Sequence, residues 1–239
     1  MHFRSTSRTR RTAILALVAG TAIAALVAAA VPTYSLNTHR TGHLGRRGFP
    51  VHYTDERGVQ VKLCEDGTVR CQGADRRDLA PPAGEGFYWM ATASMRSSLG
   101  PIDVEFALEA AHGGAFGGRP IVFERIRIRG HLREAGAYIL EHPYGSTRFR
   151  AITPEEQRNV NQTIDRFCSM ERNGRCDGKI DNFLRAVNPP KGYLGFGGRR
   201  TEVTGGTFGN SLVLKTSGGD VIGSTDRFAV LGDRIHPRR

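Results

Sequence analysis

Two stretches decide the fold: IDVEFALEAA at residues 102–111 and IVFERIRIRG at residues 121–130. In the first, Ile102, Val104, Phe106 and Leu108 are apolar at even positions, while Asp103, Glu105 and Glu109 take odd ones. In the second, Val122, Ile126 and Ile128 share the even face and Arg125, Arg127 and Arg129 share the odd face. A period of two marks a strand with one dry and one wet side. The glycine-rich HGGAFGGRP (112–120) between them is suited to reversing the chain. An antiparallel register that stacks the apolar faces then sets the acids opposite the arginines.

Working outward, FPVHYTDERGVQVKLCEDGTVRC (49–71) predicts a hairpin that turns at residues 55–58, with Val59, Val61 and Leu63 alternating with polar neighbours. Residues 72–86 read as a polar Pro/Gly loop. FYWMATASM (87–95) is the most aromatic segment and predicts a core strand. Simple alternation puts Phe87 and Trp89 on one face and Tyr88 on the other, which argues against a three-ring sugar platform. RTEVT (200–204), NSLVLKT (210–216) and DRFAVLG (226–232) predict the last strands. TPEEQ (153–157) predicts a short helix, with Thr153 as N-cap, Pro154 in the first position and acids in the first turn. IDNFLRAV (180–187) predicts another helical turn or two before NPPKGYLG stops it.

The sum is an all-β chain of antiparallel β-sandwich type, Ig-like or jelly-roll-like, with short helical turns. Two related β units are one option, at 48–152 and 153–239, because EHPYGSTRFRAI (141–152) is echoed by GGTFGNSLVLKT (205–216). Aligning Gly145 with Gly209 sets Tyr144 against Phe208, Ser146 against Asn210 and Thr147 against Ser211. In such a corner, glycine supplies the backbone angles, the aromatic plugs the end of the core and the small polar side chains bond the turn. The corner needs no substrate, and the echo places glycine where the first copy has His142.

Residues 1–30 form the expected signal peptide: Arg4, Arg8, Arg10 and Arg11 precede an alanine-rich apolar run that ends at Ala28, Ala29 and Ala30. Cleavage there gives a secreted or envelope-associated protein, and retention gives an N-terminal membrane anchor instead. Residues 31–47 read as a flexible basic lead-in. Losing the four leader arginines takes the net charge from +11 to +7, still basic enough to favour anionic surfaces. The four cysteines fall as close pairs, Cys64 with Cys71 and Cys168 with Cys176, whose local disulfides are the cheapest connectivity in chain entropy. Neither spacing suits a zinc knuckle.

No catalytic motif is evident. His112, Gly113 and Gly114 resemble the start of a lipase oxyanion loop, but no G-x-S-x-G elbow follows. His142 beside Ser146 and Thr147 is the nearest approach to a base with a nucleophile. CDGKIDNFL fails as an EF-hand, since Arg175 and Leu184 fall on ligand positions, leaving only loose calcium binding by Asp177 and Asp181 to consider. No metal-spaced His/Glu pair, phosphate loop or dinucleotide fingerprint is present, so no metal and no cofactor are expected. The binding candidates are Arg125, Arg127 and Arg129, with Arg148 and Arg150 on the next strand extending the stripe without matching acids.

GFPVHYTDERGVQVKLC (48–64), FYW, VFERIRIRG, GAYILEHPYG (136–145) and TGGTFGNSLVLKT resemble, in this order, an uncharacterised family of exported bacterial β-rich proteins. The resemblance implies export and a β-rich fold and supplies no catalytic residue. The expected function is an envelope-associated or secreted protein with a binding or structural role. A secreted hydrolase of glycans or esters is one alternative, and a basic module for anionic wall polymer is the other, with no specific nucleic acid partner.

Overall fold

The computed structural model describes residues 41–65, 71, 85–113, 118–169, 175, 176, 178 and 180–235. The leader at 1–30, residues 66–70 between the first two cysteines, residues 114–117 of the glycine loop and Asp177 lie outside the described residues. Among the described residues no helix is long and apolar enough to cross a membrane.

A small sheet pairs β1 (His52–Thr54) with β2 (Gln60–Lys62). Its turn is built by Asp55, whose Oδ1 accepts from the backbone N–H groups of Arg57 and Val59 at 2.9 and 2.8 Å. Oδ2 of the same carboxylate accepts from Phe183 N–H at 3.1 Å, so the hairpin is tied to the far half of the chain. Thr41 and Leu44 bridge to Tyr53 and Pro50, giving the end of the basic lead-in backbone partners.

The large sheet runs β10 (Arg175–Cys176), β9 (Val160–Ser169), β6 (Arg119–Gly130), β5 (Gly100–Gly113), β4 (Glu85–Ser97), β15 (Arg227–Leu231), β12 (Arg200–Thr204) and β11 (Arg185–Ala186), with β3 (Cys64–Glu65) also on β4. A second antiparallel sheet runs β14 (Val221–Thr225), β13 (Leu212–Thr216), β7 (Gly136–His142) and β8 (Gly145–Ala151). The two sheets pack against each other with minimal helix. Residues 48–152 and 153–239 both contribute strands to each sheet: β15 pairs with β4, and β13 with β7. Among the described residues the one helix, α1 (Pro154–Arg158), links β8 to β9; Thr153 is its N-cap, as the sequence predicts, and Thr153 and Glu156 form a capping box.

Register between β5 and β6 follows the pattern of the deciding stretches, pairing Asp103 with Arg129, Glu105 with Arg127 and Phe106 with Ile126. Ile102, Val104, Phe106, Leu108, Val122 and Ile128 enter the core between the sheets. At its centre, Trp89 meets Tyr144 edge-on at 6.1 Å and Phe183 at 5.5 Å, and Tyr144 meets Phe106 at 5.3 Å. The polar atoms of these rings are satisfied: Trp89 Nε1 donates to Leu184 O at 3.0 Å and the Tyr144 hydroxyl to Asn182 O at 2.9 Å.

Four expectations need correction. Phe87 and Trp89 do not share a face, because the β4–β5 register slips at Tyr88. That bulge turns both Tyr88 and Trp89 into the main core, while Phe87 joins Cys64 and Leu231 in a separate outer cluster. Residues 180–187 form no helical turn; Phe183 and Leu184 are buried and β11 begins at Arg185, since burial of both side chains outweighs a weak helical pattern. The corners are not equivalent either. Gly145 and Gly209 share positive φ values of 124° and 128°, yet Tyr144 is 0% exposed and Phe208 is 72% exposed. The first corner is a hairpin within one sheet, whereas the second carries the chain from β12 in one sheet to β13 in the other. Finally, β9 and β14 are strands that the sequence reading missed.

Both cysteine pairings are present, Cys64 with Cys71 and Cys168 with Cys176. The first packs on Phe87, Met90 and Leu231.

Candidate functional site

The five candidate arginines do not form one stripe. Arg125, Arg127 and Arg129 stand on β6 in the large sheet, while Arg148 and Arg150 stand on β8, the edge of the other sheet. Arg125 is fully engaged. Its Nε and Nη2 reach the two Asp165 oxygens at 2.7 and 2.8 Å, and Nη1 reaches Glu109 Oε2 at 2.9 Å. The Asp165 bond holds the Arg125 guanidinium above its ordinary value, whereas burial pushes the Glu109 carboxyl up to about 7 in spite of Arg125. Arg127 pairs with Glu105 at 3.3 Å. Arg129 lies opposite Asp103, which accepts from the Ser94 hydroxyl. On the outer face of β6 Arg125 and Arg127 are thus held by acids, while Arg129 is exposed and among the described residues has no ion pair.

Arg148 and Arg150 are likewise exposed, and among the described residues neither has an ion pair. Two residues apart on one strand, they lie about 6.8 Å from each other along it. The neighbouring acid on β7, Glu141, is held by Lys215 at 2.6 Å.

Beside β8 the two sheets part. On the far side of the molecule Ser98 N–H donates to Ile222 O at 2.8 Å, linking the tip of β4 to β14. At β8 a cleft of about 210 Å³ opens instead. Glu124 and Ile126 of β6 with Ile164 and Arg166 of β9 line one side, and His142 of β7 with Ser146, Thr147 and Arg148 of β8 line the other. Glu124 is buried and its Oε2 accepts from Ile180 N–H at 3.3 Å. A Cβ on Gly178 would fall 1.1 Å from that same oxygen, so a larger residue there would have to push the Glu124 carboxylate aside.

His142 and Thr147, the nearest approach to a catalytic pair, do meet: Nε2 lies 3.1 Å from the threonine Oγ1. Nδ1 accepts the backbone N–H of Tyr144 at 3.3 Å, so Nε2 carries the ring proton and donates it to Thr147. A general base needs the reverse arrangement, with a lone pair facing the hydroxyl. At 4% exposure, and 5.3 Å from the Phe106 ring, His142 is a packed, bonded part of the corner. His112 likewise packs on Phe49, at 4.9 Å, and His52 sits on β1 with its imidazole pushed below its usual value by burial and by His43.

A buried group of Cys64, Cys71 and Asp233 brings three ligand-type atoms within 4.8 Å of one another. Both sulfurs are spent in the disulfide, and Asp233 pairs with Lys62 at 2.9 Å, so the cluster serves the fold.

The sequence reading missed Glu124 and Arg166. Glu124 had a signal, an acid on the even, inward face of IVFERIRIRG. Arg166 had none, because VNQTIDRFCS lacks clean alternation. Comparison with protein-family models, with curated proteins and with solved structures found no match in any of the three.

Proposed function

We propose that the chain is an exported, envelope-associated binding module of β-sandwich type that holds anionic polymer along the edge strand β8. One observation carries this reading: Arg148 and Arg150 stand together on one edge strand, exposed and among the described residues without an ion pair, while on β6 Arg125 and Arg127 are neutralised and only Arg129 is exposed without one. Guanidiniums about 6.8 Å apart match the repeat of charged groups on a polyanion, each contact releasing a counterion. The arginine-led apolar run at 1–30, the two disulfides and the resemblance to exported proteins support an extracytoplasmic location. No cofactor enters the scheme.

Charged side chains on an edge strand also block edge-to-edge pairing of sheets. Binding of the full chain to carboxylated and phosphorylated polymers, at two salt concentrations, separates the roles. The binding role predicts affinity that falls steeply with salt and is lost in Arg148→Gln/Arg150→Gln. Unchanged binding with new aggregation in that variant would leave β8 as a guarded edge alone.

A further inference from the structure

We propose that the polymer held at β8 fills two adjoining subsites, so that the element recognised is a pair of consecutive units with one acid on each. The inference rests on the binding role given to β8 and adds to it a residue of the other sheet, Arg166. Two cavities meet at Arg148. One is the cleft of about 210 Å³, where Arg166 of β9 joins Arg148 of β8 in the lining. The other is a groove of about 260 Å³ on the β7–β8 hairpin, to which Ile139, Arg148, Arg150 and Ser217 contribute. Arg166 is exposed, and among the described residues it has no ion pair, as holds for Arg148 and Arg150. Three exposed guanidiniums thus follow one another as Arg166, Arg148 and Arg150, with the cleft shared by the first two and the groove by the last two.

A carboxylate or phosphate between two guanidiniums accepts paired N–H donors from each. Arg148, which lines both cavities, has five N–H groups and can serve two acids at once. Glu124 is buried while Arg148 and Arg166 are exposed, so an acid in the cleft is held at its mouth; deeper, it would approach a like charge. From the mouth the chain continues outward over β8 into the groove. Half-buried Ile126 and Ile164 in the cleft, and Ile139 in the groove, offer apolar surface to the C–H faces of the units. The two volumes equal roughly seven and nine waters at about 30 Å³ each, room for one sugar-sized unit apiece.

Isothermal titration of the full chain with galacturonate, its dimer and its tetramer, and with glycerol phosphate and its oligomers of the same lengths, tests the pairing. In at least one series the dimer is expected to bind about tenfold or more tightly than the monomer, with the tetramer within about fivefold of the dimer. The series that binds more tightly identifies the acid. Arg166→Gln and Arg150→Gln, both at exposed positions, are each expected to bring the dimer to within about threefold of the monomer while melting like the wild type. Arg129→Gln, which removes an exposed charge that lines neither cavity, is expected to leave dimer binding within about twofold. A dimer no tighter than its monomer in both series would overturn the proposal. So would Arg166→Gln binding the dimer like wild type; if Arg150→Gln still weakens the tetramer, β8 alone then holds the polymer. Absence of binding by either tetramer, and by longer polymer, would remove the β8 reading together with this one.

Discussion

Replacing Glu109 with glutamine turns the buried ion-pair lattice into a measurable pH effect. The residue is 8% exposed and its carboxylate sits 2.9 Å from Arg125 Nη1. Burial outweighs that attraction and lifts its folded value from 4.5 to about 7. A raised folded value means that the folded chain holds the proton more tightly than the unfolded chain does. The stability contributed by this group is therefore complete below pH 4.5 and is lost as the pH climbs through about 7. At about 1.4 kcal/mol per pH unit, the wild type loses about 2–3 kcal/mol from this group between roughly pH 5 and 8. Glutamine cannot ionise, and Arg125 keeps both bonds to Asp165, so the variant escapes that loss. Its own cost is one hydrogen bond of about 1 kcal/mol at either pH. Urea unfolding of both proteins at the two pH values, with disulfides intact, should show Glu109→Gln gaining about 2–3 kcal/mol on the wild type between the lower and the higher pH. A stability difference that does not change with pH, or one that moves against the variant as the pH rises, would refute the reasoning.

Other expectations follow from single residues. Tyr144→Ala should cost about 3–5 kcal/mol and Phe208→Ser less than about 0.5, by thermal or denaturant unfolding, although the two aromatics align in sequence. Gly178→Ala should destabilise by about 1–3 kcal/mol, since the new Cβ must displace the Glu124 carboxylate from the bond it accepts from Ile180. Trp89→Phe should lose about 1–3 kcal/mol through the orphaned Leu184 carbonyl and lost volume, and near-ultraviolet dichroism should flatten with it.

What the sequence made legible was whatever obeys a strict local rule. The β5–β6 register could be read because both strands alternate without interruption, and the hairpin and α1 because a turn aspartate and a capping box are local devices. The bulge at Tyr88 escaped, since an extra residue in a strand has no composition of its own and reveals itself only in the partner's register. β14 escaped because VIGST is short and holds a glycine that the close approach of Ser97 requires. The cleft escaped for a deeper reason: its lining comes from four strands in two sheets, and the pairing that assembles them is set by tertiary packing. Glu124 alone betrayed it, as an acid on an otherwise apolar face.

The account rests on free guanidiniums along β8, and arginine-specific modification read by mass spectrometry addresses them directly. With phenylglyoxal, Arg148 and Arg150 of the free chain should react quickly, Arg125 slowly because of its three bonds to acids, and a carboxylated or phosphorylated polymer should protect the first two. Polymer that binds while Arg148 and Arg150 stay fully reactive would contradict the account.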